Sequence, residues 1–152
     1  MRANGWIMPM QEKLAYYSDR EMPPQLAARY YRAFAGGRVI LDLGCGTGTF
    51  GRYRPGPDVV VYGVDADAAA VRAAAEFEEA LCIDLEQARL PYADGMFDGV
   101  LAKDIFEHVR DPALLVREAH RVLRSNGVIV ASVVMAKPER VWADYTHVRG
   151  FT

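Results

Sequence analysis

The segment Lys103 to Val109, KDIFEHV, holds side chains with a clear capacity for proton transfer or metal binding. Asp104, Glu107 and His108 are spaced at i, i+3 and i+4, so on a helical turn they would share one face. His108 could act there as a general acid or base. The pattern D-x-x-E is also typical of a capping box, in which the carboxylates accept backbone amide hydrogens at the start of a helix. We predict capping for the two carboxylates, an acid–base role for His108 and no metal, with metal binding kept as the alternative.

A second group, Gly44, Gly46 and Gly48 in the stretch LDLGCGTGTFG, indicates a loop that binds a cofactor. Glycines let a backbone turn sharply and approach a ligand closely. Counted from Gly46 the pattern is G-x-G-x-x-G, which is typical of dinucleotide-binding proteins. Asp65 follows the next apolar run and suits a carboxylate that accepts hydrogen bonds from both ribose hydroxyls. These features alone fit a nicotinamide dinucleotide or another adenosine cofactor.

Asp42 distinguishes the two cofactors because it precedes the first glycine by two positions. A carboxylate there would repel a pyrophosphate and attract a cofactor that carries an ammonium and a sulfonium. At an effective dielectric near 20, two charges about 4 Å apart interact by roughly 4 kcal/mol. That energy is large enough to select a cationic ligand over an anionic one. The G-x-G-x-x-G frame is then accidental, and Gly51 is predicted to be a small residue in a short helix.

The elements that must position these residues alternate along the chain, which predicts βαβ units and a parallel sheet. The predicted strands cover 38–43, 58–65, 79–84 and 128–134, and the stretch 90–102 is predicted to hold a turn at 94–95 followed by a strand. A further turn is predicted at 125–127, and the predicted helices cover 24–34, 66–77 and 112–124. Ligands bind such sheets at the carboxyl ends of the strands. Asp42, Asp65, Asp84 and the segment 103–108 each follow an apolar run, so we expect them to meet along one edge.

The overall composition excludes several classes of protein. The chain has 152 residues, a formal net charge of -2 and a pI near 5.9, without the basic balance of a nucleic-acid-binding protein. Its longest apolar-rich run, 128–136, is about half of the roughly 20 residues that span a membrane. The N-terminus lacks the apolar core of a signal peptide, and Cys45 and Cys82 lack zinc or disulfide-framework spacing. We therefore expect a cytoplasmic protein that binds neither nucleic acid nor membrane.

Three stretches of sequence resemble the class I S-adenosylmethionine-dependent methyltransferases, specifically the branch called type 11. They are LDLGCGTGTF, VYGVDADAAAVRAA and the block from Leu90 to Ser132, and the resemblance covers roughly residues 38–134. It implies an α/β Rossmann-like fold, with a parallel sheet of strand order 3-2-1-4-5 and helices on both faces. The family's sheet has seven strands, so the fold is expected to be truncated after the fifth. The resemblance also implies S-adenosylmethionine (SAM) as cofactor and methyl transfer to oxygen or nitrogen, less readily carbon, of a small-molecule metabolite.

The same resemblance implies a cofactor-binding role for residues at the ends of four strands. They are Asp42, Gly44, Cys45, Gly46, Gly48, Asp65, Ala66, Asp84, Leu85 and Lys103. Asp42 and the glycine loop would hold the methionine end of SAM, with its ammonium against the Lys103 backbone. Asp65 would bind the ribose, while Ala66, Asp84 and Leu85 would border the adenine.

The resemblance also bears on the segment that contains His108. Some ubiquinone-pathway O-methyltransferases are similar there, with an acidic residue followed by Glu-His, and are associated with a divalent metal. This chain has the shorter Asp104 at the first position. In the tail, His147 and Arg149 would serve as a base and an anion clamp, which makes His147 a second predicted catalytic residue beside His108.

We expect three units along the chain: a helical lid or cap at 1–36, the SAM-binding Rossmann-like core at 37–135, and a tail at 136–152 that is substrate-facing or truncated. Tyr16 and Tyr17 of the lid would cover the cofactor. Two other functions stay open, namely a non-catalytic or truncated SAM-binding module and an NAD(P)-dependent oxidoreductase. An apolar sheet edge left without the last strands would also allow a homodimer.

Overall fold

The computed structural model describes residues 22–86, 89–141, 144 and 146–152. Parallel strands form a sheet in the order β3-β2-β1-β4-β5, with β1 Val39–Leu43, β2 Val60–Asp65, β3 Glu79–Cys82, β4 Phe97–Lys103 and β5 Leu123–Ser132. The helices are α1 Pro24–Ala33, α2 Ala68–Ala73, α3 Pro112–Val122 and α4 Pro138–Val141, with a 3-10 helix at Gly51–Tyr53. The predicted α/β fold and its strand order are confirmed. Tyr16 and Tyr17 lie outside the described residues.

The central strands are buried because their side chains alternate between two apolar layers. Ile40 on β1 and Leu101 on β4 pack with Phe34, which follows α1. Leu41, the next residue on β1, packs in a separate cluster with Leu115 of α3. This period of two places helices on both faces of the sheet and leaves the carboxyl ends of the strands as the open edge.

Helix α2 is shorter than the sequence predicts, ending at Ala73 rather than at 77. The reason is Phe77, whose ring fills the space above two glycines. A Cβ built on Gly51 would lie 2.8 Å from the Phe77 ring, and one on Gly63 would lie 3.0 Å from it. The chain therefore leaves helical geometry to pack a partly buried aromatic ring against the core. Gly51 itself begins the 3-10 helix, so its predicted place in a short helix is confirmed.

The turn predicted at 125–127 is instead a bulge near the start of β5. The pairing with β4 moves from Phe97↔Leu123 to Gly99↔Val128, so the intervening residues of β5 have no counterpart. Asn126 adopts a φ of 64°, a left-handed conformation that asparagine tolerates better than most residues. The chain thus enters β5 directly from α3.

None of the helices in the described ranges is both long and apolar enough to cross a membrane.

Gly99 gives a direct test of this packing. A Cβ at Gly99 would lie 2.3 Å from the Phe34 ring, so Gly99→Ala should displace that ring and destabilise the protein by about 1–3 kcal/mol. Urea denaturation followed by circular dichroism measures the change. Gly56→Ala is the matched control, since a Cβ there meets nothing within 4 Å. Equal midpoints for the two variants would contradict the described packing of Phe34 on β4.

Candidate functional site

A cleft of about 1030 Å³ opens at the carboxyl ends of the strands, where the sequence analysis places the site. The predicted cofactor residues that line it are Asp42, Gly44, Cys45, Gly46, Asp65, Ala66, Asp84, Leu85 and Lys103. Gly48 is the exception. It donates its N–H to the Cys45 carbonyl at 3.0 Å and packs against Ala74 and Phe77, so it closes the loop without facing the cleft.

The glycine loop is held by the end of β2. The N–H groups of Gly44 and Cys45 both donate to the Val64 carbonyl, at 2.8 and 3.0 Å. Gly44 has a φ of 75°, and a Cβ there would lie 2.8 Å from the Ile105 side chain. A larger residue would therefore be strained in its backbone and would push on the segment after β4. The loop forms one wall of the cleft.

Asp65 connects this loop to the second strand. One carboxylate oxygen accepts the Gly46 N–H at 2.9 Å, and the other accepts the Asp67 N–H at 2.8 Å. Burial raises the pKa of Asp65, while these two hydrogen bonds favour its charged form. Asp67, and not Asp65, caps α2 by accepting from Ala69 and Ala70. The carboxylate of Asp65 is thus held in place at the cleft wall with acceptor capacity left for a ligand.

Asp84 and Leu85, which follow β3, also line the cleft. Asp84 is exposed and accepts the Glu86 N–H at 2.9 Å, which fixes a local turn. Leu85 is buried and belongs to the apolar cluster beneath the cleft. A flat apolar ring with an amino group at its edge would suit this pair of side chains.

The charge of Asp42 depends on what lies beside it. The residue is 4% exposed, and burial together with the negative charge of Asp65 raises its pKa to about 8, while Lys103 opposes the shift. The motif predicts a carboxylate that repels pyrophosphate; in the structure the group is largely protonated at neutral pH unless a cation lies next to it. A ligand cation would restore the negative charge, because an opposite charge nearby favours the ionised form.

The capping box predicted for Asp104 and Glu107 is wrong. Asp104 has a φ of 50°, and its carboxylate accepts from the Ser132 hydroxyl at 2.8 Å and from the Lys103 ammonium. Residues 104–110 form turns and bends rather than a helix. Glu107 is 0% exposed, and its two carboxylate oxygens have no hydrogen-bond partner among the described residues. Because Asp104 bonds to Ser132 on β5, Asp104 and Glu107 do not act together as the D-x-x-E pattern predicts.

His108 and His147, the two predicted catalytic residues, lie against each other. Their ring centroids are 4.7 Å apart with an interplanar angle of 63°. His108 lines the cleft, whereas His147 is 8% exposed and lies outside the cleft lining, reaching it through His108. Burial and then the neighbouring His147 lower the pKa of His108. The tail is fixed here because Val148 N–H donates to the Glu107 carbonyl at 2.8 Å.

The lining of the cleft differs from the sequence prediction at Arg149, at Thr146 and along α1. Arg149, predicted as an anion clamp, donates to the Arg110 carbonyl at 2.5 Å and is absent from the cleft lining. Thr146 does line the cleft and bonds to His108. Leu26 and Tyr30 of α1 line the cleft as well. Their i, i+4 spacing in the sequence indicates that they share one face of the helix.

The sequence around this cleft matches a known protein family. A family model described as a methyltransferase domain matches residues 41–131. The chain belongs to this methyltransferase domain family. The resemblance seen in the sequence motifs is therefore confirmed, and the cleft at the ends of β1, β2 and β4 is the site around which the methyltransferase motifs cluster.

This methyltransferase domain is similar in sequence to a group of curated proteins. It is 30% identical over 114 residues to the ubiquinone biosynthesis O-methyltransferase of Pseudomonas paraeruginosa, a match that covers 71% of this chain and 49% of that protein. The chain thus spans about half the length of the curated relatives it matches.

Solved structures share the fold. A SAM-dependent methyltransferase from Archaeoglobus fulgidus superposes with a TM-score of 0.73 at 21% identity, covering 91% of this chain and 67% of that one. The [4+2]-cyclase SpnF superposes with a TM-score of 0.67 at 25% identity, covering 75% and 46%.

Proposed function

We propose that this methyltransferase domain binds SAM in the cleft and transfers its methyl group to an oxygen of a small-molecule acceptor, with nitrogen as the second choice. The observation that carries the proposal is the pair of buried carboxylates, Asp42 and Asp65, beside the glycine loop of a methyltransferase-family chain. A structural relative with the same fold is named a SAM-dependent methyltransferase. SAM supplies a methyl group that its sulfonium already activates for displacement.

Different residues of the cleft would bind different parts of the cofactor. Asp65, oriented by the Gly46 and Asp67 amides, would accept hydrogen bonds from the ribose hydroxyls. Asp42 would become charged against the methionine ammonium, and Asp84 with Leu85 would border the adenine. Fixing these groups before the ligand arrives matters, because orientation can supply on the order of 7–11 kcal/mol of a transfer barrier.

Oxygen is favoured as the acceptor atom for two reasons. The 30% identical relative is named an O-methyltransferase. In addition, the side of the cleft away from Asp65 has the His108 imidazole and the Thr146 hydroxyl, groups suited to holding an acceptor hydroxyl. We propose that His108, with His147 beside it, assists the loss of the proton from this hydroxyl as the methyl group is transferred.

Calorimetry and a transfer assay test the proposal. Isothermal titration with S-adenosylhomocysteine should show one molecule bound per chain. Mass spectrometry of reactions with SAM and a panel of small hydroxyl- and amine-bearing compounds should then show products heavier by one methylene. Failure of folded protein to bind either SAM or S-adenosylhomocysteine would contradict the proposal.

Cofactor binding without methyl transfer is the second candidate. It is favoured by one observation: a chain of the same fold, 25% identical, is named a [4+2]-cyclase. Binding in the calorimeter together with no methylated product from any acceptor would select this candidate. The oxidoreductase hypothesis is dropped, because Gly51 forms a 3-10 helix against Phe77 and the family match is to methyltransferases.

We also propose a cytoplasmic location and small-molecule substrates. Both cysteines, Cys45 and Cys82, are free thiols, as in a reducing compartment. β5 is an edge strand of the described sheet, and its Ile129 is 37% exposed. Pairing of two copies along this edge stays a prediction, which light scattering would test.

A further inference from the structure

The carboxylate of Glu107 is buried without a hydrogen-bond partner among the described residues. The residue is 0% exposed, and this lack of a partner holds for both carboxylate oxygens. Burying a carboxylate is costly unless a positive partner or hydrogen bonds compensate. No lysine or arginine of the described residues forms an ion pair with Glu107. The fold thus holds an acceptor-rich group in a place where a cation would stabilise it.

Two imidazoles complete a set of ligands around that carboxylate. One ligand atom from each of Glu107, His108 and His147 lies within 4.8 Å of the others. Atoms bound to one zinc-sized ion at 2.0–2.2 Å lie roughly 3.3 Å apart. A contraction of up to about 1.5 Å would bring the three groups to binding distance.

The hydrogen bonds of the two imidazoles to described residues use Nδ1 of each ring and not Nε2. His147 Nδ1 lies 2.7 Å from the Val141 carbonyl, which can only accept, so this nitrogen carries the hydrogen. Thr146 donates its hydroxyl hydrogen to Asp144 at 2.5 Å, and its oxygen lies 2.9 Å from His108 Nδ1. That oxygen must therefore accept from His108.

Both rings are consequently set with Nε2 as the unprotonated nitrogen. An outer acceptor that fixes the tautomer in this way is the usual companion of a metal-binding histidine. Asp144 is the further carboxylate in the neighbourhood, with Oδ2 at 4.0 Å from His147 Nε2.

We propose that Glu107, His108 and His147 form a three-ligand site for a divalent transition-metal ion such as Zn²⁺. Two imidazoles and one carboxylate suit zinc, iron or manganese rather than magnesium, which prefers oxygen ligands in an octahedron. This set differs from the acidic-x-x-Glu-His pattern, because Asp104 is held by Ser132 and Lys103. His147, from the tail, takes the place that the pattern gives to Asp104.

The site borders the cleft, because His108 and Thr146 both line it. A metal ion there would act as a Lewis acid on the acceptor hydroxyl and promote the loss of its proton to water. This role rests on the proposed methyl transfer, whereas the metal site itself does not.

Metal titration of chelator-stripped protein tests the site. We expect one Zn²⁺ per chain by calorimetry, and Co²⁺ should give visible absorption bands of a low-symmetry nitrogen and oxygen site. Glu107→Gln and His147→Gln should each weaken Zn²⁺ binding at least 100-fold. Thr146→Val, which removes the hydroxyl between Asp144 and His108, should weaken it roughly 10- to 100-fold.

Two variants serve as controls. Asp104→Asn should leave Zn²⁺ affinity within twofold, whereas the acidic-x-x-Glu-His arrangement predicts a large loss. His120→Gln changes an exposed histidine of α3 and should have no effect. Circular dichroism and a thermal scan without metal establish that each variant is folded, and Zn²⁺ should raise the melting temperature of the wild type but not of Glu107→Gln.

Several results would overturn the site. They are substoichiometric Zn²⁺ in the folded wild type, unchanged affinity in Glu107→Gln and His147→Gln, or a loss in Asp104→Asn as large as theirs. Titration with S-adenosylhomocysteine, run on the same samples, separates the two proposals. Metal binding without S-adenosylhomocysteine binding would remove the proposed function alone, and the reverse would remove the metal site alone.

Discussion

Replacing Asp65 with alanine should weaken the binding of S-adenosylhomocysteine by roughly 10²- to 10⁴-fold. A carboxylate that accepts from two ribose hydroxyls makes two hydrogen bonds to a charged group, each worth about 1.5–3 kcal/mol. The same carboxylate fixes the loop through the Gly46 amide at 2.9 Å, so its loss also loosens the wall against which the ligand lies. Isothermal titration calorimetry measures the affinity.

Two further variants separate ligand binding from the structural role of Asp65. Asp65→Asn keeps one side-chain oxygen for the Gly46 amide but loses the charge and one acceptor, and should still weaken binding at least tenfold. Asp58→Ala removes an exposed aspartate before the start of β2 and should bind as the wild type does. An Asp65→Ala protein that is folded and binds with wild-type affinity would exclude the proposed ribose site.

The meeting of Asp42 and Asp65 in one cleft could be predicted from sequence because each lies at or near the carboxyl end of a buried strand. Asp42 lies within β1 and Asp65 ends β2, and these neighbouring strands are parallel, with Asp42 paired to Gly63. Once the apolar runs are recognised as parallel strands, their carboxyl ends must meet at one edge. For Asp42 and Asp65, the local sequence pattern and the position in the fold therefore lead to the same prediction.

The contacts of Asp104 and His108 could not be predicted, because they are made between distant parts of the chain. Asp104 bonds to Ser132 on the neighbouring β5, which no local capping rule includes. His108 meets His147 only because the tail returns across the turn after β4, anchored by Val148 and by the bridge between Met135 and Phe151. No sequence spacing specifies such a return.

The length of α2 shows the same limit on a smaller scale. The alanine-rich stretch favours a helix to 77, yet Phe77 gains more from packing over Gly51 and Gly63 than from another helical turn. Helix propensity is a few tenths of a kcal/mol per residue, whereas full burial of a phenylalanine side chain contributes about 1.5–3 kcal/mol and the half-buried Phe77 gains part of that. Tertiary burial therefore decides where the helix ends.

Affinity for S-adenosylhomocysteine should rise with pH as Asp42 loses its proton. Its pKa in the empty cleft is raised to about 8, by burial first and by Asp65 second, and a bound ammonium would lower that pKa. Binding then requires release of a proton below pH 8, so affinity should fall by up to tenfold per pH unit from pH 8 to about pH 6. Calorimetry across this range, in buffers of different ionisation enthalpy, measures both the affinity and the proton released.

Asp42→Asn separates this effect from titration of the ligand. The variant should bind more weakly at pH 8 and should lose the rise between pH 6 and 8, while any decline caused by deprotonation of the ligand amine remains. A wild-type affinity that is flat from pH 6 to 8, or an unchanged rise in Asp42→Asn, would contradict a charged Asp42 against the ammonium.

The stability of the ligand-free protein should change in the opposite direction. The folded pKa of Asp42, about 8, lies above its ordinary value of 3.8, so the folded state holds a proton that the unfolded chain releases. The wild type is favoured fully below pH 3.8 and loses stability as the pH rises toward 8. Asp42→Asn, which has no such group, should therefore melt higher than the wild type at pH 8, with the difference shrinking toward pH 4. A residue that destabilises the empty fold and strengthens it only when a cation is bound is explained by binding and not by folding.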